Sequence, residues 1–176
     1  MKATGIIRRI DELGRIVIPK EIRKNFRISE GENIEIYIDE NENIVLKKYS
    51  SLKNLNDFAQ SYIDSVSLYL KKNILISDMN SFVAVNGDLK KDILSSNISE
   101  EILSLILKRN FIINKKKEFL KLTDSKVYNY FYILSPIFCH GDICGSVIIL
   151  SFDEFTDLDE KIAKITSLFL SKYLEA

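Results

Sequence analysis

The sequence predicts an α+β protein in two parts: a small β-β-α-β-β module over residues 1–50, then an α/β sensor-type domain over residues 51–176. Three observations lead there. Short runs of alternating apolar and polar residues fill the first fifty positions. Hydrophobic spacing turns helical after Ser50. Charge is unevenly spread, although the chain as a whole carries none net. A length of 176 residues accommodates a small module plus a medium domain, and 46% hydrophobic with 28% charged residues is a globular composition.

Thr4, Ile6, Arg8 and Ile10 alternate with Gly5, Ile7 and Arg9, as in a strand. Glu12-Leu13-Gly14 is a turn, in which glycine takes a backbone conformation that other residues resist. Arg15–Ile18 is a second short strand. Pro19 stands at the first position of a helix through Phe26, where its missing N–H costs nothing. Glu30-Gly31-Glu32 turns the chain. Ile34, Ile36 and Ile38 then alternate with Glu35, Tyr37 and Asp39, Asp39–Asn43 is a polar hairpin loop, and Ile44–Lys48 returns. A module this small buries too little apolar surface to stand alone, and its strands leave unpaired edges. An intertwined homodimer through residues 1–50 is therefore expected.

The charge pattern gives the module a polarity. Residues 1–27 carry eight bases against three acids, a local +5. Residues 28–50 carry two bases against six acids, a local −4. The run Gly5–Lys24 sets Arg8, Arg9, Arg15, Arg23 and Lys24 along the first strands and helix, a surface suited to a polyanion. Arg8 and Arg9 are neighbours on one strand and so face opposite ways, with Arg8 assigned to the polyanion side.

Beyond Ser50-Ser51, which starts a helix, Leu52, Leu55, Ala59, Tyr62, Val66 and Tyr69 form a seam for packing on another helix or on the domain's own sheet. Ile74–Ser77 and Ser81–Asn86 are strands around a turn at Asp78–Asn80. Ser99 caps a helix running to Lys108 or Arg109. Asn129–Phe138 and Ile143–Phe152 are strands joined at Cys139–Asp142. Thr156 and Asp159 form a capping box that opens a last helix, with Leu158, Ile162, Ile165 and Phe169 on one face.

Several chemistries are disfavoured. The charged N-terminus is not a secretory signal, and the apolar run Ile143–Phe152 is too short to span a bilayer, so a cytoplasmic protein without membrane contact is expected. Cys139, His140 and Cys144 are one ligand short of a closed structural zinc site. Asp11 and Glu12 have no general-base partner and read as arginine partners or turn formers. Lys115–Lys117 reads as a solvated loop. With no catalytic motif, cofactor or metal expected, the protein is not read as an enzyme.

The run GIIRRIDELGRIVIPKEIRKNFRISEGENIEIYIDENENIVLKKY, and within it R-x-I-D-x-L-G-R-x-x-I-P-x-E-I-R, resembles the AbrB family of bacterial transition-state regulators. The tail, with its S-P-I…G-D-x-x-G-S-V-I-I-L hairpin, is similar to the GAF-like domain of the sporulation regulators in that family. The resemblance implies an AbrB-type swapped-hairpin β-barrel dimer followed by a GAF-like α/β sensor domain. It also implies contact with double-stranded DNA through Arg8, Arg15, Arg23 and Lys24, with Arg9 beside them. Arginine offers a planar fork to guanine or phosphate, whereas Lys24 keeps the charge without the fork. With no long recognition helix, phosphate contact and DNA shape would carry much of the binding.

These expectations add up to a transcriptional regulator of sporulation genes. Its tail would form a homotetramer through helices Leu52–Leu70 and Leu158–Leu174, or sense an unidentified small-molecule ligand in a pocket between sheet and helices. Two rival readings keep the fold. An antitoxin of this hairpin type normally ends in a short, flexible acidic tail, whereas residues 51–176 form a folded segment with 15 bases and 16 acids. An enzyme would need a pocket of convergent titratable groups in the tail.

Overall fold

The computed structural model describes residues 5–28, 30–31, 33–50 and 52–175. Lys2, Thr4, Glu32 and Ser51, which entered the readings of charge, strand, turn and helix start, lie outside the described residues. The chain divides into two compact units, Met1–Tyr49 and Ser50–Ala176.

The first unit departs from expectation at its start. Residues 5–10 and 15–18 form no strand within the single chain. A strand exists only through the hydrogen-bond ladder it shares with a neighbour, and among the described residues the β1–β2 ladder extends to neither segment. A turn joins them instead: the Asp11 N–H donates to the Arg15 carbonyl at 3.1 Å and the Gly14 N–H to the Asp11 carbonyl at 2.9 Å, with Gly14 at φ 75°. Helix α1 (Lys20–Asn25) follows. Pro19 is its N-cap rather than its first residue, and its carbonyl accepts the Arg23 N–H at 2.9 Å. The helix ends in a Schellman motif: Arg27 takes φ 52°, its N–H reaches the Lys24 carbonyl, and the Ile28 N–H reaches that of Arg23 at 2.7 Å.

Strands β1 (Ile34–Ile38) and β2 (Ile44–Lys48) form the expected hairpin, closed by Asp39. Its carboxylate accepts the N–H groups of Asn41 and Asn43, each at 2.9 Å. In this register Ile36 opposes Leu46 and Ile38 opposes Ile44 on one face, which is apolar up to the Ile34–Lys48 pair at its end. Glu35 opposes Lys47 on the other face, where Lys47 also lies 4.6 Å over the Tyr37 ring. Lys48 ties the hairpin to the helix end by donating to the Arg27 carbonyl at 2.7 Å.

The second unit is a five-stranded antiparallel sheet in the order β4-β3-β7-β6-β5. Its strands are β3 (Asn73–Asp78), β4 (Phe82–Val85), β5 (Ile112–Thr123), β6 (Lys126–Cys139) and β7 (Asp142–Ser151). Strand alternation splits the core in two. Leu75, Leu134, Ile148 and Leu150 face the layer built by helices α3 (Lys90–Ile93) and α4 (Glu100–Leu107). Ile74, Ile76, Val147 and Ile149 face α2 (Asn56–Leu70) and α5 (Asp157–Leu174). Ser99 caps α4 through the Ile102 N–H at 3.1 Å, and Thr156 with Asp159 forms the capping box of α5, both as the sequence suggests. His140 and Gly141, at φ 51° and 84°, make the tight turn between β6 and β7.

Two expectations for this unit are corrected, and a third element gains its direction. The Lys115–Lys117 run belongs to strand β5, whose non-alternating lysines hide its period. The chain enters α2 through a 3-10 turn, Leu52–Leu55, and the Ser50 hydroxyl bonds the Asp78 carboxylate at 2.8 Å instead of capping a helix. On α5 the apolar stripe faces away from the sheet. Leu158, Ile165 and Phe169 are exposed and Ile162 half-buried, while Ala163, Thr166, Ser167, Leu170 and Ser171 meet the sheet. Small and hydroxylic side chains let the helix approach closely: the Ser135 and Ser167 hydroxyls are 2.7 Å apart, and the Phe138 N–H donates to Ser171 Oγ at 3.0 Å. Likewise on α2, Ala59, Ile63 and Leu70 are buried whereas Tyr69 is exposed.

Candidate nucleic-acid interface

Each candidate cation sits where the local fold leaves it open. Arg8 and Arg9 precede the Asp11–Arg15 turn and both are exposed. With no strand at residues 5–10, their assignment to opposite faces does not hold within one protomer. Arg15 closes the turn. Its Nε donates to Asp11 Oδ2 at 2.7 Å, while Asp11 Oδ1 accepts the N–H groups of Leu13 at 3.0 Å and Arg15 at 2.8 Å. Bonds from the Arg15 backbone and side chain hold the Asp11 carboxyl below its usual range. Asp11 is thus a turn former and an arginine partner, as its position suggests. Arg15 uses only its Nε edge there and keeps its terminal nitrogens outward-accessible, its side chain being 71% exposed.

Arg23 and Lys24 occupy the last turn of α1, where cations complement the negative end of the helix dipole. Both are exposed, and among the described residues neither they nor Arg8 and Arg9 enter an ion pair. Sequence reasoning overlooked the role of Arg27 and Lys48. Their bond fixes the end of α1 on the hairpin, and only the observed fold brings two residues 21 positions apart together. The apolar half of the unit lies equally open: Ile7 is 91% exposed and Ile36 68%, with Ile10, Leu13, Val17, Ile38 and Ile44 also exposed.

In the second unit, the layer between the sheet and α4 is packed with Phe82, Ile98, Ile102, Ile106, Leu120 and Leu122, all buried. A cleft of about 540 Å³ opens instead at the strand ends, lined by Asp64, Lys71, Asn86, Asp88, Phe152 and Asp153 among others. Lys72, also in its lining, bridges to the buried Asp159 at 2.5 Å. Cys139 and Cys144 are free thiols, and burial pushes Cys144 up to about 12, which suppresses the reactive thiolate. Among the described residues, no group of three or more His, Cys, Asp or Glu is placed to hold a metal ion, and no helix is long and apolar enough to cross a membrane.

An open basic module followed by a separate α/β domain with helices on both faces of its sheet defines a two-domain protein whose head is suited to a polyanion. Comparison with known proteins gives the particular family. Residues 54–175 match the family model described as stage V sporulation protein T C-terminal, transcription factor. Residues 7–54 match that of the antidote-toxin recognition protein MazE, a bacterial antitoxin. The chain is 38% identical to stage V sporulation protein T of Bacillus subtilis (strain 168), over 99% of each chain. Its first part is 57% identical to the transition state regulatory protein AbrB of the same organism, over 28% of this chain and 50% of that one. Among solved structures, the cofactor-binding GAF domain of the nutrient sensor CodY from Clostridium difficile superposes with a TM-score of 0.52 at 14% identity, covering 88% of this chain and 94% of that one. That likeness assigns the GAF fold and nothing more. The chain belongs to the stage V sporulation protein T family of transcription factors, with an AbrB-type N-terminal region and a GAF-like tail.

Proposed function

We propose that this transcription factor acts in the cytoplasm on sporulation genes and grips double-stranded DNA through Arg8, Arg9, Arg15, Arg23 and Lys24 on a homodimer of residues 1–50. One observation carries the reading: the unit exposes unpaired cations and an apolar hairpin face together. A second copy covers the apolar face, offers strand pairing to the segments on either side of the Asp11–Arg15 turn, and doubles the cationic set. Phosphates are the partner such a set favours. The AbrB relative, named as a transition state regulator, supports the same use of this region.

Residues 51–176 then serve as the GAF-like domain that joins dimers into a tetramer, senses a small molecule, or does both. The exposed Leu68, Tyr69, Ile165, Leu168 and Phe169 of α2 and α5 offer the apolar surface for joining copies. The cleft at the strand ends has the volume of a small-molecule site. The MazE-type match spans residues 7–54 alone, so the antitoxin reading explains the head and leaves the tail without a role. Fluorescence anisotropy with duplex DNA, run beside sedimentation, tests the proposal. The double variant R15A/R23A should remain dimeric and lose most of its affinity at low salt. Unchanged binding by that dimer would remove the assigned surface.

A further inference from the structure

A second cationic tract lies in the tail, and it matches the first in strength. Residues 108–121 hold six bases (Lys108, Arg109, Lys115, Lys116, Lys117, Lys121) against one acid, Glu118, a local +5. The remainder of residues 51–176 holds nine bases against fifteen acids. The excess is therefore local.

The fold puts this tract on strand β5, the edge of the sheet. Pairing with β6 skips from Asn114↔Tyr132 to Glu118↔Tyr130, so Lys115–Lys117 bulge off the ladder opposite Phe131 alone. All three lysines are exposed. At the end of the tract Lys121 pairs with Asp124 at 3.6 Å, and elsewhere in the tail Lys72 pairs with Asp159, Lys90 with Asp64, Lys126 with Asp92 and Lys164 with Glu160. No such pair forms at Lys115, Lys116 or Lys117 among the described residues. Glu118 forms no ion pair with the three lysines among the described residues; its carboxylate accepts from Asn114 Nδ2 at 2.7 Å, and Asn114 Oδ1 accepts the Lys116 N–H at 3.0 Å. Lys117 lies near the Phe131 and Phe152 rings, at 5.7 and 5.8 Å, an arrangement that leaves its charge uncompensated. The bulge already protects the edge against strand pairing. Three consecutive lysines exceed what that protection requires.

We infer that Lys115, Lys116 and Lys117 form a second contact for the DNA phosphate backbone, so that the GAF-like tail binds DNA together with the head. The inference rests on the proposed DNA binding by residues 1–50. It concerns non-specific affinity, because lysine meets phosphate as a point charge without base reading.

The test uses the full chain, K115A/K116A/K117A beside R15A/R23A, on mixed-sequence duplex DNA several helical turns long, across a salt series. Circular dichroism and sedimentation verify folding and mass. The lysine variant should stay folded with unchanged mass. The slope of log affinity against log salt should fall by about 2–3, and affinity at low salt should fall about tenfold or more. An unchanged slope in the lysine variant overturns the inference. It does so equally if the oligomer mass changes, since the strand then meets another copy. Unchanged binding by R15A/R23A would instead count against the head assignment, leaving the slope of the lysine variant to report on the tail alone.

Discussion

The two units treat the same residue types in opposite ways. In the tail, isoleucines fill the two faces of the sheet, with Ile74, Ile76, Ile148 and Ile149 buried, and most lysines near acids are paired with them. In the head, Ile7, Ile36, Ile38 and Ile44 lie open, and Arg8, Arg9, Arg23 and Lys24 have no ion-pair partner among the described residues. A unit that satisfies its own surface is finished as one chain. A unit that leaves both apolar and charged groups unsatisfied is completed by other molecules, here a second copy and a polyanion. What separates them is their supply of strands. The tail closes a five-stranded sheet, while the head of one chain holds a lone hairpin, which is marginal in water.

The most severe way to break this contrast is Ile36→Asp. On a true surface position the change would alter stability little. On a covered face it buries an unpaired carboxylate, so the dimer should dissociate and DNA binding should be lost altogether. Sedimentation reads the mass and anisotropy the binding. A variant that keeps wild-type mass and affinity would show that the hairpin face is solvent-facing in the working protein.

The tail's self-sufficiency can be attacked at Asp159. Burial alone would raise its pKa, but hydrogen bonds from Lys72 and from the Thr156 backbone and hydroxyl outweigh that and hold it below the ordinary value. A depressed folded-state pKa contributes stability above about pH 4, and that stability is lost as pH falls through the folded value. Asp159→Ala strands Lys72 and removes the capping box, and should cost about 2–4 kcal/mol at neutral pH in denaturant titrations. Below the folded-state pKa the gap to wild type should close. Gly145→Ala should act on the same unit, since an added Cβ would collide with the Ser77 carbonyl oxygen and the Leu52 side chain. Its cost should be about 1–3 kcal/mol, as for other overpacked cores, and independent of pH.

The contrast also explains what the sequence revealed and what it hid. The Asp39 hairpin, the Ser99 cap and the Thr156–Asp159 box were legible, because each is written in a few adjacent residues. The stripe Leu158, Ile165, Phe169 was legible as apolar, and its direction away from the sheet comes from the fold. Periodicity reports that a face avoids water, without naming the surface that covers it. Strand β5 was missed because Asn114–Glu118 leaves the ladder and so loses its period of two. The cations were found by imbalance alone. Whether each is paired depends on the fold, as Asp11 with Arg15 and Lys48 with the Arg27 carbonyl illustrate.

The unpaired state of the head cations can be measured against a paired tail cation. Arg23→Ala, which removes two cations from the dimer, should lower DNA affinity about tenfold or more and reduce the salt slope by about 2, without moving the thermal midpoint. Lys126→Ala removes a base bridged to Asp92 at 3.2 Å and should leave DNA affinity as it is. Equal losses from the two would mean that DNA responds to total charge and that the local arrangement is immaterial.

The smallest expected effect is the most discriminating. Asp11 does two things: Oδ1 organises the turn through the Leu13 and Arg15 amides, and Oδ2 holds the Arg15 guanidinium. Asp11→Asn keeps an acceptor for the turn and removes the charge that competes with phosphate for Arg15. If the carboxylate acts on DNA mainly as a competing anion, affinity should rise a few-fold at low salt, and the gain should vanish as salt screens the charge. If holding Nε instead aims the terminal nitrogens, affinity should fall, and by a similar factor at every salt concentration, because lost preorganisation is not screened. The exposed setting of the pair, with an Arg15 side chain that remains mostly open to solvent, favours the first outcome. Anisotropy at two ionic strengths separates them.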